Sequence, residues 1–576
     1  MQQTQTLASH WDAIVIGGGI GGLSSAAFLA TNGMKTLLLE QYSLVGGCSH
    51  VFRRKRQWEF DVGIHYIGDC GADGQVPRIL RSLGLADRIE FNLMDSTGYD
   101  TIVLPDKLIK VPYGWDNYLD NLIGAFPHEE KGLRKFVGII SSIGMALDRS
   151  RTPASTKGLL KFALDAGVHS AWAMMPVTTL MDYCRLSEEA RIVVSIQFGQ
   201  YGCPPSRAPV VLHAGLLQNY IEGGAWYPKG GGQMFAGNLV EVIEAHNGAV
   251  RTQAKVERIL LDNGKVSGVR LESGEEFHSK TVVSAADLKK TYLNMIGAEN
   301  LPARFVKKVN NFTMTSPFMN VFLGLDIDLH DRMPNTNYFS VPTTNSLIES
   351  YGQMIDNATS ISQDQWLKRA RAELPSFIHS GSRKDPSHSR HAPPGCSSLE
   401  SMTMVPAQYE FWTHANKGES YSKDSYYLEL KEELTDILIQ RVEDVMPGIK
   451  QHIIWKEAAT PLTHERYTLS TAATAYGLEP NIKQFGPFRP RSKTVIPGLF
   501  IAGTSTTWGP SVEGTFISGL HAASAILGRD LDQEIRQGHV YADISKLPKH
   551  DSKWDPLKVS KVNLRQSRNQ VDEDEE

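Results

Sequence analysis

The first hydrophobic segment of the chain, residues 13–40, reads as a strand, a turn, a helix and a second strand. The apolar runs AIVI and TLLL are short and continuous, as buried parallel strands usually are. Glycines follow the first run, and a stretch rich in Ala and Ser lies between them and the second. The pattern therefore predicts a βαβ unit.

The turn of this unit carries a dinucleotide-binding fingerprint. Gly17, Gly19 and Gly22 form G-x-G-x-x-G, which gives a tight turn, a close approach for a pyrophosphate and close packing of helix on strand. Glu40 ends the second strand, where its carboxylate can bind ribose hydroxyls. The unit suits FAD and NAD equally.

Later segments alternate between this nucleotide domain and a second domain. Residues 86–224 and 301–480 lack a glycine fingerprint, and much of the first segment has helical periodicity. Residues 225–300 predict a helix over 235–245 and an antiparallel meander of strands near 254–261, 266–271 and 281–284. We therefore predict an α/β nucleotide domain from residues 1–85, 225–300 and 481–535. An α+β substrate domain comprises residues 86–224 and 301–480, and residues 546–576 form a disordered tail with an acidic end.

Composition narrows the function classes. The 576 residues carry 59 Lys and Arg against 63 Asp and Glu, a net charge of −4 that argues against nucleic acid as a partner. The five cysteines are scattered and form no CxxC, so neither a disulfide framework nor a metal site is expected. The sequence shows no signal-peptide pattern and no apolar run of about 18 residues. A cytoplasmic or peripheral membrane location is expected.

One apolar stretch leaves two interpretations open. Residues 158–184 are rich in Leu, Met, Phe and Trp, carry few charges and are interrupted at Pro176. Such a stretch is either domain core or a surface through which a lipid-soluble substrate enters from a bilayer. The second interpretation predicts a peripheral membrane contact.

Further glycine motifs extend the fingerprint. Gly46 and Gly47, followed by Cys48, can bring backbone N–H groups against a pyrophosphate or a flavin ring. Near the carboxyl end, Gly503 ends an apolar strand and a helix follows. Backbone N–H groups at Val512, Glu513 and Gly514 suit the ribityl-pyrophosphate and the O2/N1 edge of a flavin. These motifs, folding onto one cofactor, predict FAD.

The string from Gly46 through EFDVGIHYIG resembles the family of FAD-dependent oxidoreductases that contains retinol saturases, carotenoid isomerases and phytoene desaturases. The resemblance spans most of the chain. It implies a Rossmann-like FAD-binding domain of the glutathione reductase/amine oxidase type with an interleaved substrate domain. It also implies that the backbone at Val256 contacts adenine, and we add Gln41, beside Glu40, to the predicted cofactor contacts. His65, Tyr66 and Tyr476 then lie near the flavin as candidate catalytic residues.

The family implies chemistry on a conjugated polyene lipid. Saturation of a C=C bond of all-trans-retinol or a related retinoid or carotenoid, by flavin hydride transfer and protonation, is the leading hypothesis. Carotenoid desaturation, redox-neutral cis-trans isomerisation and a non-catalytic flavin- or lipid-binding role stay open. The sequence contains one dinucleotide fingerprint, so a quinone, another protein or transiently bound NAD(P) would exchange electrons with the flavin.

Overall fold

The computed structural model describes residues 9–150, 156–344 and 347–562. The strands of these residues are, in chain order, β1 (Ala13–Ile16), β2 (Thr36–Leu39), β3 (Val51–Arg54), β4 (Trp58–Asp61), β5 (Ile67–Gly68), β6 (Phe91–Leu93), β7 (Asp100–Val103), β8 (Leu108–Val111), β9 (Ala225–Pro228), β10 (Ala249–Arg251), β11 (Val256–Asp262), β12 (Lys265–Leu271), β13 (Glu276–His278), β14 (Val282–Ser284), β15 (Phe318–Leu325), β16 (Asn337–Ser340), β17 (Ser376–His379), β18 (Ser397–Met404), β19 (Ile453–Ala459) and β20 (Leu499–Ile501).

The α-helices, joined in places by short 3-10 turns, are α1 (Ile20–Thr31), α2 (Gln75–Ser82), α3 (Trp115–Ala125), α4 (Glu130–Ser150), α5 (Thr156–Ala166), α6 (Val177–Cys184), α7 (Glu188–Ser195), α8 (Val210–Ile221), α9 (Gln233–Ala245), α10 (Leu288–Lys290), α11 (Ala303–Asn310), α12 (Leu347–Asp356), α13 (Gln363–Glu373), α14 (Gly381–Lys384), α15 (Tyr409–Trp412), α16 (Ser425–Val445), α17 (Pro461–Thr468), α18 (Val512–Leu527), α19 (Leu531–Arg536) and α20 (Pro556–Ser560). A π-helical turn, Thr291–Gly297, continues α10.

A five-stranded parallel sheet forms the centre of the nucleotide domain. Its order is β10-β2-β1-β14-β20, so strands from the first, middle and last thirds of the chain pair side by side. Alternate side chains of β1 face opposite layers. Ala13 and Val15 pack with α1, α9 and α18, whereas Ile14 and Ile16 pack with the β11–β13 meander. The α/β fold is confirmed, with both faces of the sheet covered.

The meander differs from the prediction in its third strand. β11, β12 and β13 form the antiparallel sheet, and β13 is Glu276–His278 rather than the predicted 281–284 run. That run becomes β14, which pairs in parallel with β1 and β20. The reason is burial: all three residues of β14 are buried, which suits a central parallel strand and not the edge of a meander.

A seven-stranded mixed sheet forms the second domain, in the order β19-β15-β18-β17-β16-β7-β8. β7 and β8 come from residues 86–224 and the others from residues 301–480, so two separated segments build one sheet. β7 and β16 join these segments as a parallel pair, with Asp100 opposite Asn337. A large hydrophobic core packs this sheet against the helices, including α4, α8 and α16.

Part of the predicted disordered tail is ordered. Helix α20 packs on α9, and the Gln233 amide donates to the Ser560 hydroxyl (2.7 Å). Asp555 accepts two hydrogen bonds from the Arg53 guanidinium (2.7 and 2.8 Å) and pairs with Arg390. Buried Leu557 and Val562 add apolar contacts. The prediction of disorder is therefore wrong for residues 546–562, and residues 563–576 lie outside the described chain.

Within the described residues, no helix combines the length and the apolar character needed to cross a bilayer.

The Arg53–Asp555 pair should stabilise the docked carboxyl-terminal segment. Burial alone would raise the pKa of Asp555, but the hydrogen bonds and charge of Arg53 hold that pKa below its ordinary value. We expect Asp555→Asn to lower the free energy of unfolding by about 2 kcal/mol at pH 7, measured by urea denaturation. The difference should persist down to pH 5 and shrink only below about pH 4, as the folded-state carboxylate protonates. Exposed Asp551→Asn is the control, and an equal loss in both variants would contradict the role of the pair.

Candidate functional site

The first glycine turn leaves room only for backbone. A Cβ on Gly22 would lie 2.0 Å from the Gly17 carbonyl oxygen, so α1 can start this close to β1 only with glycine there. A Cβ on Gly19 would meet only the Gly47 Cα, at 3.9 Å. The amino terminus of α1 therefore faces an open cleft, where its N–H groups favour a phosphate.

The second glycine pair lies directly against this turn. The Gly46 N–H donates to the Gly18 carbonyl (2.8 Å), and a Cβ on Gly47 would come within 2.9 Å of the Gly19 Cα. Cys48 is exposed, yet the protein that surrounds it raises the pKa of its thiol. That combination is expected of a side chain on the wall of an internal cleft.

Glu40 links the first glycine turn to the segments around it through hydrogen bonds. Its carboxylate accepts the N–H groups of Gly18 (2.6 Å) and Tyr42 (2.7 Å), and burial raises its pKa. Its carbonyl accepts the N–H of Ala254, which brings β11, beginning at Val256, alongside. Each carboxylate oxygen can accept a further bond, so Glu40 fits a ribose diol while holding the turn.

The Gln41 side chain is already engaged, because its amide donates to the Tyr467 carbonyl (2.6 Å). Contact of this side chain with a cofactor stays a prediction.

The carboxyl-terminal motif meets the first turn at the end of β20. A Cβ on Gly21 would lie 2.9 Å from both Cα and N of Gly503, so these backbones are in direct contact. At the start of α18, the Gly514 N–H is capped by the Ser511 hydroxyl (2.8 Å). It is therefore not free for a ligand. Glu513 accepts a hydrogen bond from the Asn219 amide (2.6 Å).

One cavity, of about 540 Å³, brings several predicted residues together. His65, Tyr66 and Tyr476 line it, and so do Val512, Glu513 and Gly514. The residues of the glycine turns, Glu40, Gln41 and Val256 do not line it. Gly63 connects the two regions, because it lines the cavity and a Cβ there would lie 2.9 Å from the Cys48 carbonyl.

Tyr66 belongs to a buried hydrogen-bond network at the cavity wall. Its hydroxyl donates to Asp100 (3.0 Å) and accepts from the Gln200 amide (2.6 Å). Burial, together with the Asp100 charge, raises the pKa of Tyr66 well above its ordinary value. Burial also raises the pKa of Asp100 to about 6. Tyr66 is thus a protonated hydroxyl beside a proton acceptor that titrates near neutrality.

His65 stands at the edge of a second buried cluster that the sequence analysis missed. The Glu400 carboxylate oxygen lies 3.8 Å from His65 Nδ1 and 3.2 Å from His379 Nε2. The Lys384 ammonium donates a hydrogen bond to the His65 carbonyl. Burial lowers the pKa of His65 to about 3 and that of Lys384 to about 7, and raises that of Glu400.

His379 and Lys384 are buried, although the stretch 379–398 that contains them is rich in polar residues. The one available signal was Glu400, an isolated charge within the strand SSLESMTM, all of which is buried.

Exposed apolar side chains surround one end of the cavity. Leu160, Leu164 and Val168 are 63%, 73% and 85% exposed, in α5 and the turn after it. Their neighbours Leu159 and Met174 are also exposed and line the cavity. We call Leu159, Leu160, Leu164, Val168, Met174 and Met175 the apolar patch. The stretch 158–184 divides between the two interpretations: these side chains are at the surface, whereas Val177, Leu180 and Met181 are buried in the core.

Comparisons with known proteins identify the family and the fold of the chain. The family model for flavin-containing amine oxidoreductases matches residues 20–351 and 397–527. The chain is 30% identical to human all-trans-retinol 13,14-reductase, across 91% of this chain and 87% of that protein. It is 28% identical to a chloroplastic prolycopene isomerase of an Oncidium hybrid, across 90% of this chain and 85% of that one. Cyclohexylamine oxidase of Brevibacterium oxydans shares the fold, with a TM-score of 0.57 at 16% identity over 90% of this chain and 99% of that one.

The open gap at Gly19 gives a direct test of the cofactor cleft. We expect Gly19→Trp to fill the gap against Gly47 and to abolish bound flavin, measured by visible absorbance of the purified protein. Gly124→Trp is the matched control, because a Cβ at Gly124 on α3 meets nothing within 4 Å. Unchanged flavin content in the Gly19 variant, with a native circular dichroism spectrum, would contradict the placement of the cofactor.

Proposed function

Because the chain belongs to the flavin-containing amine oxidoreductase family, we propose that it is an FAD-dependent enzyme that saturates a C=C bond of a polyene lipid, with an all-trans retinoid as the favoured substrate. The observation that carries this proposal is the single cavity that runs from the start of α18 to the apolar patch. An apolar chain that enters at the patch would reach the residues beside the predicted flavin ring.

The described residues fit FAD along its length. The gap at Gly19 would admit a pyrophosphate, and Glu40 has acceptor capacity for ribose. The Ala254 N–H donates to the Glu40 carbonyl just before the strand that begins at Val256, whose backbone is proposed to contact adenine. At the other end, the N–H groups of Val512 and Glu513 at the start of α18 suit the electron-rich edge of the ring. When bound, FAD supplies the hydride chemistry, and the remaining roles fall to the chain.

The walls of the cavity suit a flexible hydrocarbon. Phe318, Phe339 and Phe377 line it, and the Phe377 ring stacks on Tyr66 with 5.9 Å between centroids. Aromatic walls bury a conjugated chain and exclude water from the reacting bond. In this proposal the Tyr66 hydroxyl, held between Asp100 and Gln200, would give its proton to the alkene carbon next to the one that receives hydride from bound, reduced FAD, and would regain a proton from solvent. His65 and Tyr476 line the same cavity and would position the polyene.

Isomerisation is the second candidate, supported by the 28% identity to prolycopene isomerase. The decisive experiment mixes oxidised and reduced holoprotein, without oxygen, with all-trans-retinol and with acyclic carotenes. Saturation predicts that only reduced protein consumes retinol, yields a dihydro product and becomes oxidised. Substrate-dependent bleaching of oxidised flavin would instead indicate desaturation, and turnover with no net reductant would indicate isomerisation. No change in any polyene would contradict the whole proposal.

The electron donor is proposed only by class. A nicotinamide bound transiently at the flavin face, a quinone or a redox protein would each serve, since the sequence contains one dinucleotide fingerprint.

Tyr66 offers a sharp mutational test. We expect Tyr66→Phe to lower the rate of retinol reduction at least about 100-fold with flavin content unchanged, because the proton donor is lost. Tyr99→Phe is the control: Tyr99 is also buried in this region, but its hydroxyl has no hydrogen-bond partner among the described residues. Single-turnover absorbance measures both rates. Equal rates in the wild type and Tyr66→Phe would assign protonation to another group.

The apolar patch is proposed to dock on a lipid bilayer, from which an insoluble polyene reaches the cavity. We expect Leu160→Asp combined with Leu164→Asp to reduce co-sedimentation with phosphatidylcholine vesicles at least about tenfold, because charged side chains resist burial in lipid. The control pair is Leu108→Asp and Ile454→Asp, which are 59% and 55% exposed outside the patch. Equal loss in both pairs, or none in either, would remove the patch from membrane binding.

A further inference from the structure

The cluster of His65, His379 and Glu400 contains polar atoms that lack hydrogen-bond partners among the described residues. Its atoms His65 Nδ1, His379 Nδ1 and Nε2, and Glu400 Oε2 are all buried, and none forms a hydrogen bond within the described residues. Leaving one such polar group unsatisfied costs about 1–3 kcal/mol, so four at one place point to something that they bind. Each of the three side chains belongs to a different segment, and of the three only His65 lines the cavity.

The spacing of the atoms fits a metal ion. His379 Nε2 and Glu400 Oε2 are 3.2 Å apart without hydrogen-bond geometry, and His65 Nδ1 is 3.8 Å from the same oxygen. All three candidate ligand atoms lie within 4.8 Å of one another. A tetrahedral centre with bonds of about 2.0 Å sets its ligands about 3.3 Å apart, between the two short distances. The ring centroids of the two histidines, 4.3 Å apart, keep both imidazoles beside the same point.

The charge of the surroundings favours a divalent cation. Glu400, Asp61 and Asp100 are buried carboxylates whose charges act on the one buried ammonium of this region, Lys384. Three acidic groups therefore accompany one basic amine, and a divalent cation would offset this excess of acidic groups. The Lys384 ammonium is directed at the His65 carbonyl rather than at the space between the three ligands.

A second group of two histidines and one glutamate differs from this cluster in its hydrogen bonding. Glu59, His388 and His391 are also close together. There, however, Glu59 accepts from Arg53 (2.6 Å) and from His388 (2.8 Å), so the carboxylate is already neutralised by a protein cation. This second group serves as the internal control.

We propose that His65, His379 and Glu400 form a binding site for a divalent transition-metal cation such as Zn²⁺, with its fourth position open to the cavity. Two histidines, one glutamate and an open position are the ligand set of hydrolytic zinc sites, and two histidines with one carboxylate also bind Fe²⁺. The fourth position would face the cavity on the side of His65, which lines the cavity and keeps 14% of its side chain exposed, although its Nδ1 atom is buried. The open position would take a water molecule or the oxygen of a ligand.

Resting on the proposed function, the site would bind the hydroxyl oxygen of a polyene alcohol. A Lewis-acidic ion at that place holds the polar end of the substrate and leaves the hydrocarbon to the aromatic walls. It would therefore select oxygenated polyenes over hydrocarbon carotenes.

Metal binding is tested without any polyene. Holoprotein is treated with a chelator, dialysed against Zn²⁺ or Co²⁺ and analysed for bound metal and flavin. We expect one ion per chain, visible Co²⁺ ligand-field bands beyond the flavin absorption, and at least about 100-fold weaker binding in His379→Gln and Glu400→Gln. His388→Gln should bind as the wild type does. Flavin content and thermal unfolding identify any variant that fails to fold.

Two results would overturn the proposal: no stoichiometric metal in the wild type, or binding that His379→Gln and Glu400→Gln leave unchanged. The substrate role is tested separately, by titrating retinol and lycopene into the metal-free and zinc-loaded holoprotein. Zinc should strengthen retinol binding at least about tenfold and leave lycopene binding unchanged. Equal effects of zinc on retinol binding and on lycopene binding would overturn the substrate role. A failure of polyene turnover would not affect the metal-binding measurement.

Discussion

The structure depends on three close contacts between backbone segments. Gly22 packs on the Gly17 carbonyl, Gly47 on Gly19 and Gly21 on Gly503, and at each contact a Cβ would collide. These contacts bring the first βαβ unit, the segment after Glu40 and the carboxyl-terminal strand to one cleft. Because phosphates and flavin edges are bound by backbone N–H groups, the same contacts that close the fold also expose the donors that a dinucleotide requires.

The second domain completes the site from the other side. Its large sheet, assembled from two chain segments, carries Phe339, Phe377 and Asp100 toward the cavity. Apolar walls alone would suit any lipid. We propose that the chemistry comes from two buried polar groups, the Tyr66–Asp100 network and the His65–His379–Glu400 cluster. Burying such groups is unfavourable, and sites of this kind are where proteins keep function at a cost in stability.

Short-range patterns in the sequence were sufficient to predict the nucleotide domain and the family of the chain. The βαβ unit, Glu40 and the glycine motifs are short-range patterns whose geometry follows from residue type. The strand at 282–284 was placed wrongly because a short apolar run does not reveal whether its partners are parallel. The whole tail was predicted to be disordered because of its acidic end, although the segment that Asp555 anchors is ordered. The cluster around Glu400 was missed because its members come from three segments, and polar residues reveal burial only through distant partners.

We propose that one cavity joins the flavin site to a polyene that enters at the apolar patch. The most direct measurement is an anaerobic titration of oxidised holoprotein with all-trans-retinol, followed through the visible flavin spectrum. The account predicts a saturable spectral shift that ends at one retinol per flavin. Retinol that binds, as measured by quenching of tryptophan fluorescence, but leaves the flavin spectrum unchanged would contradict it.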